Sequence, residues 1–441
     1  MNSAVEPVGS FSSSNELFNQ IQEITQWTFL SNLFGVQSDC PHRERFGYGG
    51  DLVTTSDAFM LNYDMSGLYA KITRDWADSA LPDGMLTDTA PSVGIQYCGV
   101  GWAMAHPHLQ TQLYRYYGDR RIIEEQYAVS KKWFELVRSQ NKDHIIRGGL
   151  NDHEALESEG AAQMVTPLYC ESARMLSQMA AILGKKDEAA DYAELAEAIK
   201  KTYNENFVTA ETGVAGKGIQ SIQAFALHLD MLPEDLRAKA LAHLVTDITE
   251  KHDGHPTTGI FGTRYMLDAL SREGEVEVVN TMVNKRDFPS YGYMIENGAT
   301  TLWEKWQKDE GGFSHNHPMF GSVSQWFYNW LGGIEPAADA IGFNRIKLQP
   351  QFVDGLDWVK CSYNSVHGPV VSNWKREGKT VTMELRVPVN TVALLHLPAT
   401  STVTENGQPA EKSAGVSKAA VQDSGTKLRL ESGSYTFKVQ L

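Results

Sequence analysis

The stretch Gly332-Gly333-Ile334-Glu335-Pro336-Ala337-Ala338-Asp339-Ala340-Ile341-Gly342 divides the sequence into two regions of different periodicity. Upstream of it, apolar residues recur at helical spacing. Leu17, Ile21 and Ile24 follow Asn15, a residue suited to an N-cap. Over Thr54–Trp76, residues Ala58, Leu61, Met65, Leu68 and Ile72 fall on one face. Ala105–Tyr117, Ile122–Val137, Pro167–Leu183, Asp187–Phe207, Gln220–Leu229 and Pro233–Lys251 read the same way. So do Thr263–Arg272, Gly274–Val283, Thr301–Gln307 and Gly321–Ile334. About a dozen helices with no strong strand signal predict helical hairpins closed in a ring, an (α/α)6 barrel. No repeat of fixed length stands out, which disfavours a solenoid. Downstream, short alternating runs rich in Val and Thr predict strands: Arg345–Leu348, Trp358–Tyr363, Pro369–Lys375, Thr380–Val387, Val392–Leu397, Lys427–Leu430 and Tyr435–Val439. The expected architecture is mainly α with a β C-terminal domain. It comprises an N-terminal extension over residues 1–15, a helical barrel over 16–335 and an antiparallel β-sandwich over 336–441.

Composition narrows the functional classes. The chain has 441 residues, 42% apolar and 21% charged, which suits a globular protein and excludes a fibre or a disordered chain. Its net charge of −15 repels phosphate backbones, and no basic patch offsets it, so no nucleic-acid partner is expected. No stretch of 18 uncharged apolar residues occurs, so no membrane-spanning helix is expected. Cys40, Cys98, Cys170 and Cys361 are scattered without a C-x-x-C pair, which indicates neither a zinc knuckle nor a disulfide framework. Met1–Asn15 holds no basic segment and no apolar core, so no signal peptide is read there. Free thiols suit a reducing compartment, so the expectation is a cytoplasmic protein, or an exported one whose leader has been removed.

Four polar loops carry candidate chemistry. The densest is Asp39-Cys40-Pro41-His42-Arg43-Glu44-Arg45-Phe46-Gly47-Tyr48-Gly49-Gly50-Asp51, with three carboxylates and two arginines in thirteen residues. Its proline and glycines oppose a regular helix, and a loop so charged either solvates itself through Asp–Arg pairs or lines a site. The second is Gly298-Ala299-Thr300-Thr301-Leu302-Trp303-Glu304-Lys305-Trp306. Here Glu304 sits between two indoles, whose faces suit a pyranose ring; the bland alternative is a capping box from Thr301 to Glu304. The third, Ser314-His315-Asn316-His317-Pro318-Met319-Phe320-Gly321-Ser322, has two histidines but no third ligand nearby, so no metal is expected. The fourth, Gly149-Leu150-Asn151-Asp152-His153-Glu154, reads equally as an Asx turn or as part of the same mouth. A helical ring would bring the loops of Glu44 and Glu304 to one face, with Tyr48, Trp102, Trp303 and Trp306 around them. Two separated carboxylates in an aromatic, polar cleft are the minimum for glycoside hydrolysis.

At these residues the sequence resembles glycoside hydrolase family 78, the α-L-rhamnosidases. The loop Asp39-Cys40-Pro41-x-Arg43-Glu44-Arg45 with Gly50-Asp51 is similar to the family's signature. Gly298-Ala299-Thr300-Thr301-x-Trp303-Glu304-x-Trp306 is similar to its second motif. Asn316-His317-x-x-Phe320-Gly321-Ser322-Val323 with Trp326 is similar to its third. The resemblance spans Phe11 to Leu397 and keeps the order and spacing of all three motifs. It implies an (α/α)6 barrel followed by a β-sandwich, and removal of terminal α-L-rhamnose with inversion and without a cofactor. It further implies Glu44 as general acid and Glu304 as general base, with Asp39, Arg43, Asp51 and His317 on the sugar. Tyr48, where the family more often has Trp, is then expected to pack against the sugar, with Trp102, Asp152 and Trp303 as further substrate contacts. An acid in Glu44 calls for a raised pKa despite Arg43 and Arg45. Larger members carry N-terminal β-domains ahead of the barrel; here the barrel is expected to begin by about Glu16, with those domains either missing or cut away. Two departures fall in sugar-facing loops: Phe46-Gly47-Tyr48-Gly49-Gly50 for the commoner Leu-Gly-Trp-Thr-Gly, and Asn151-Asp152-His153 for Gly-Asp-Trp.

Three other readings compete with an inverting rhamnosidase. One is an exo-glycosidase on the same barrel for a related deoxy or uronic sugar. Another is a catalytically silent sugar-binding protein, against which stands the presence of both Glu44 and Glu304. The last is a helical scaffold for protein partners, against which stands the loop-centred polarity. A carbohydrate is thus the expected partner, and a homodimer is compatible with the sequence.

Overall fold

The computed structural model describes residues 2–308, 311–398, 402–419 and 426–441. Its helices are α1 (Glu16–Ser31), α2 (Gly49–Asn62), α3 (Ser66–Asp78), α4 (Val100–Ala103), α5 (Ala105–Tyr117), α6 (Arg120–Gln140) and α7 (Ala162–Ile182). Then follow α8 (Lys186–Phe207), α9 (Gln220–His228), α10 (Glu234–Thr246), α11 (Ile260–Arg272), α12 (Val276–Asn284), α13 (Tyr291–Glu296) and α14 (Ser322–Trp326). Six of them, α2, α5, α7, α9, α11 and α14, touch in that order and α14 returns to α2, so the inner ring closes. Every residue of α2 is buried, as an inner helix that has neighbours on all sides requires. The longer amphipathic helices α6 and α8 lie outside, each packed on one face. Inside the ring Asp57 accepts from Gln112 (3.0 Å), Tyr116 (3.0 Å) and Arg264 (2.6 Å), which ties α2, α5 and α11 together.

Two helical expectations change here. The face running through Thr54–Trp76 belongs to two helices, because the chain breaks at Tyr63–Met65. There the Asp64 amide donates to Glu6 (2.8 Å) and the Asn62 carbonyl accepts from Val8 (2.9 Å), so an N-terminal segment replaces helical bonds while the apolar period runs on. The helix expected from Pro167 begins earlier, at Ala162. Proline cannot donate to the Gln163 carbonyl, and the Tyr203 hydroxyl does so instead at 3.2 Å.

The β part holds two sheets. The strands are β1 (Gly9–Ser13), β2 (Ile334–Pro336), β3 (Arg345–Leu348), β4 (Trp358–Ser365), β5 (Gly368–Glu377), β6 (Thr380–Val387) and β7 (Val392–Leu397). They continue with β8 (Thr402–Glu405), β9 (Gln408–Pro409), β10 (Val416–Lys418), β11 (Thr426–Leu430) and β12 (Gly433–Gln440). One sheet runs β1-β4-β5-β6-β12-β8-β9, and the other β10-β11-β7-β3-β2. All pairs are antiparallel except β3–β7, which is parallel. The Ser-rich stretch read as an extension forms β1, with Gly9 opposite Tyr363 and Ser13 opposite Val359. Its serines carry little strand propensity, and pairing with β4 decides the matter. Phe11 then stacks on Phe327 with centroids 4.9 Å apart, and the Trp374 indole donates to the Leu331 carbonyl at 2.9 Å. These contacts fix the β part against the helical ring.

Candidate active site

The loops that precede the inner helices are bonded to one another around a single rim. The amide of Ala90 donates to Gly47 (3.0 Å), that of Leu150 to Cys98 (2.9 Å) and that of Leu156 to Thr257 (2.8 Å). The Trp306 indole donates to the Thr258 carbonyl (2.8 Å), and Arg43 pairs with Glu304 at 3.0 Å, which returns to the first loop. Loops far apart in sequence are thereby held at one mouth.

Two buried acids lie under this mouth. Asp39 accepts from the Phe46 amide at 2.7 Å, which folds the Arg43–Arg45 arm back on itself. Burial, with Glu44 adding to it, pushes the Asp39 carboxyl up to about 6 against the hydrogen bonds from Cys40 and Phe46. Asp51 stands in the first turn of α2, where the helix dipole favours a charge. Burial prevails, and with Asp39, Glu304 and Glu44 nearby its carboxyl is raised well above the usual range. Its Oδ1 faces the Nδ1 of His317 at 3.4 Å without forming a hydrogen bond, and neither atom has another partner. Burial, aided by His153 and Arg43, holds His317 well below the usual histidine range, so its ring is neutral. Two buried polar atoms left open at a rim are what a hydroxyl-rich ligand would satisfy.

Glu304 is not on a helix. Residues 301–307 run beside 313–317: the Glu304 amide donates to Ser314 (2.9 Å), the His317 amide to Leu302 (2.9 Å), and the Thr301 hydroxyl to the His315 carbonyl (2.5 Å). Thr301 therefore makes no capping box; the spacing fits one, but pairing with the His317 segment wins. Glu304 Oε2 accepts from Ser314 N (2.6 Å) and Arg43 Nη1 (3.0 Å), while Oε1 takes no bond among the described residues. Glu44 is exposed on the opposite loop, next to Arg45, whose φ of 62° turns the chain sharply. Both glutamates act electrostatically on Asp51 and on His153, so they share one site.

The remaining expectations fare differently. Tyr48 caps α2, is buried, and feels Glu44 and Asp39 through a phenol pushed upward mainly by desolvation. Trp102 lies against Gly49 and Gly50, where a Cβ on Gly50 would fall 2.5 Å from its Cε2. A Cβ at position 49 would meet the main-chain carbonyl of Trp102, so Gly50 makes room for the indole and Gly49 for the backbone beneath it. Trp303 is packed between His315, stacked at 4.7 Å, and Tyr293. Trp306 is core, wedged between Tyr291 and Phe320, so it offers no face to a sugar. Asp152 also corrects an expectation. Its carboxylate accepts from the amides of Gly259 (2.6 Å), Phe261 (3.0 Å) and Gly262 (3.0 Å) and from the Ser221 hydroxyl (2.5 Å), capping α11. With four donors on its carboxylate, it holds the rim.

Its neighbour His153 stands beside Glu304 and Glu44, although the sequence marks it only as a departure in a sugar-facing loop and not as a substrate contact. The ring lies 6.1 Å from Trp102, and burial lowers its pKa against the pull of Glu304 and Glu44. Lys305 and Phe313 were missed as well: Lys305 Nζ sits 3.1 Å over the Phe313 ring and 3.7 Å from Glu154, and Arg43 flanks the same ring at 5.6 Å. The signal available for His153 was its place in a family motif where an aromatic is usual; for Phe313 there was none.

Residues 6–331 match the family described as the bacterial α-L-rhamnosidase six-hairpin glycosidase domain, and residues 333–412 match the bacterial α-L-rhamnosidase C-terminal domain. The chain belongs to the bacterial α-L-rhamnosidase family. This family member is 30% identical over 402 residues to an α-L-rhamnosidase of Streptomyces avermitilis, covering 88% of this chain and 38% of that protein. It is 29% identical over 425 residues to one of Formosa agariphila, covering 89% and 44%. Among solved structures, the α-L-rhamnosidase of Dictyoglumus thermophilum superposes with a TM-score of 0.93 at 34% identity, over 100% of this chain and 51% of that one. The Streptomyces avermitilis enzyme complexed with L-rhamnose gives 0.91 at 27% identity, over 100% and 43%. The chain thus spans about half or less of these relatives' length. No helix of the described residues is long and apolar enough to cross a membrane.

Proposed function

We propose that this chain hydrolyses terminal α-L-rhamnosides, or rhamnose-containing polysaccharides, with inversion at the anomeric carbon. Glu44 is the general acid and Glu304 the general base. The observation that carries this reading is the pairing of an anchored carboxylate with an exposed one above two buried acids. Glu304 is fixed through Oε2 by Ser314 and Arg43, which leaves Oε1 to take a proton from water. As that water attacks the anomeric carbon, the bond to the aglycone oxygen breaks, and Glu44 gives its proton to that oxygen. Its exposed position suits departure of the aglycone to solvent. Asp39, Asp51, Arg43 and His317 bind the sugar hydroxyls from below, and Tyr48, Trp102 and His153 close the side. An inverting pair calls for a carboxylate separation of about 6.5–9.5 Å, room for one water. The catalytic unit of this proposal is residues 16–335, with 336–441 as the β-domain behind it and residues 9–13 lending it a strand.

The test is hydrolysis of p-nitrophenyl α-L-rhamnoside followed by proton NMR, beside an α-L-fucoside, an α-L-arabinoside and a β-glucuronide. β-L-Rhamnose as first product supports the proposal. α-L-Rhamnose as first product overturns inversion, and turnover of another sugar alone overturns the substrate. Glu44→Gln should slow a rhamnoside with a poor leaving group by about 10²–10⁴-fold. Equal rates for wild type and variant would remove Glu44 as acid.

A further inference from the structure

Away from the mouth, the geometry points to a binding site for a divalent transition-metal ion of the Zn²⁺ class, formed by Glu157, Asp247 and His252. His252 Nε2 lies 3.6 Å from Glu157 Oε2 and 3.4 Å from Asp247 Oδ1. The three atoms lie within 4.8 Å of one another. All three are shielded from solvent and none has a hydrogen-bond partner. Asp247 is only 7% exposed, so its Oδ1 is a buried acceptor aimed at two other acceptors or weakly placed donors. Such a group is expensive to leave unsatisfied. Lys251 does not fill the gap. Its ammonium takes the other two oxygens, Asp247 Oδ2 at 3.1 Å and Glu157 Oε1 at 3.4 Å, and leaves the converging three untouched.

The backbone is shaped for this convergence. Helix α10 ends in a π-helical turn, Asp247–Lys251, with the His252 amide donating to the Asp247 carbonyl at 3.1 Å. In an α-helix residues five apart point about 140° away from each other. The wider π turn brings Asp247 and His252 to one side, and such turns collect at functional sites. Glu157 arrives from the rim loop, held there by the Leu156 and Glu157 amides on the Thr257 carbonyl (2.8 and 3.3 Å). Donor spacings of 3.4 and 3.6 Å suit a tetrahedron with bonds of about 2.0–2.1 Å, whose edges are about 3.4 Å. One imidazole with two carboxylates favours zinc, cobalt or nickel over calcium or magnesium, and a water completes four ligands. A bound ion would clamp the loop of Asp152 and His153 to the end of α10.

The experiment titrates the full chain, stripped with chelator and dialysed, with ZnCl₂ in a calorimeter. The wild type should bind one equivalent, and Asp247→Asn and Glu157→Gln should each weaken binding at least tenfold, while His367→Gln leaves it unchanged. Equal affinity in the wild type and both carboxylate variants overturns the site, as does an absence of Zn²⁺ binding by the wild type. Co²⁺ added to the wild type alone provides a second readout should the variants fail to fold. Strong visible absorption of a tetrahedral centre, bleached by Zn²⁺, supports the site; the weak spectrum of a six-coordinate ion overturns it.

Discussion

Asp51 and Asp152 each put a carboxylate at the start of an inner helix, Asp51 from the first turn of α2 and Asp152 from the loop before α7 onto α11. Each is buried, 4% and 2% exposed. They differ in what meets the carboxylate. Asp152 receives three backbone amides and a hydroxyl, so its charge is spent on holding α11 in place. Asp51 Oδ1 receives none and confronts a neutral histidine at 3.4 Å. Burial and a helix dipole therefore do not distinguish an acid whose donors are present from one left open. The count of donors does, because an acid with its partners already present gains nothing from a substrate.

The comparison is open to attack at four points. Asp51→Asn should lower kcat/KM on the rhamnoside by about 10³-fold, roughly 4 kcal/mol, because the amide does not replace the carboxyl in its hydrogen bonds and leaves buried partners unpaired. Its denaturant midpoint should stay near that of the wild type; a large loss of stability would show that Asp51 is structural after all. Asp152→Ala should do the reverse. Three helix amides lose their acceptor, at about 1 kcal/mol each, so urea unfolding should show a loss of about 3–4 kcal/mol. Turnover per folded molecule should change little, and a 10³-fold fall with intact stability would place Asp152 in the site.

Asp39 extends the same contrast to pH. Its carboxyl titrates at about 6 in the folded chain against an ordinary 3.8. The folded state holds the proton more tightly, so stability falls as pH rises through that interval and stays lower above it. Asp39→Asn, which keeps an acceptor for the Phe46 amide, should be about 3 kcal/mol more stable than wild type at pH 8 and equal to it at about pH 3. Thermal melts at both pH values check this, and a difference independent of pH would contradict it. Gly50→Ala should have the smallest effect, about 2 kcal/mol, because its Cβ displaces the Trp102 ring. Tryptophan fluorescence should shift with it.

Much of the fold was legible. The helical spacing over most of the first 334 residues and the change at Gly333 correspond to the ring and the sheets. Thr380–Val387 and Val392–Leu397 coincide with β6 and β7. The failures have a common cause. The helix read through Tyr63–Met65, the capping box at Thr301 and the idle Ser-rich start were all locally plausible, and each was overruled by a partner distant in sequence. Propensity and spacing are worth tenths of a kcal/mol to about one per residue, and a long-range partner outweighs them.

The sequence by itself determined which residue types stand in which loops: Asp39, Arg43, Glu44 and Asp51 in one, Glu304 and His317 in another. It also determined the hydrophobic periods that close a helical ring behind them. Only the tertiary structure decided which of those groups are satisfied and which are left open. It set Glu304 against Ser314 and Arg43, turned Asp152 into a helix cap, buried Trp306 in the core and aimed Asp51 at His317. The reason is physical. A side chain's chemistry is written in the sequence, but its desolvation and its donors come from residues that only folding places beside it.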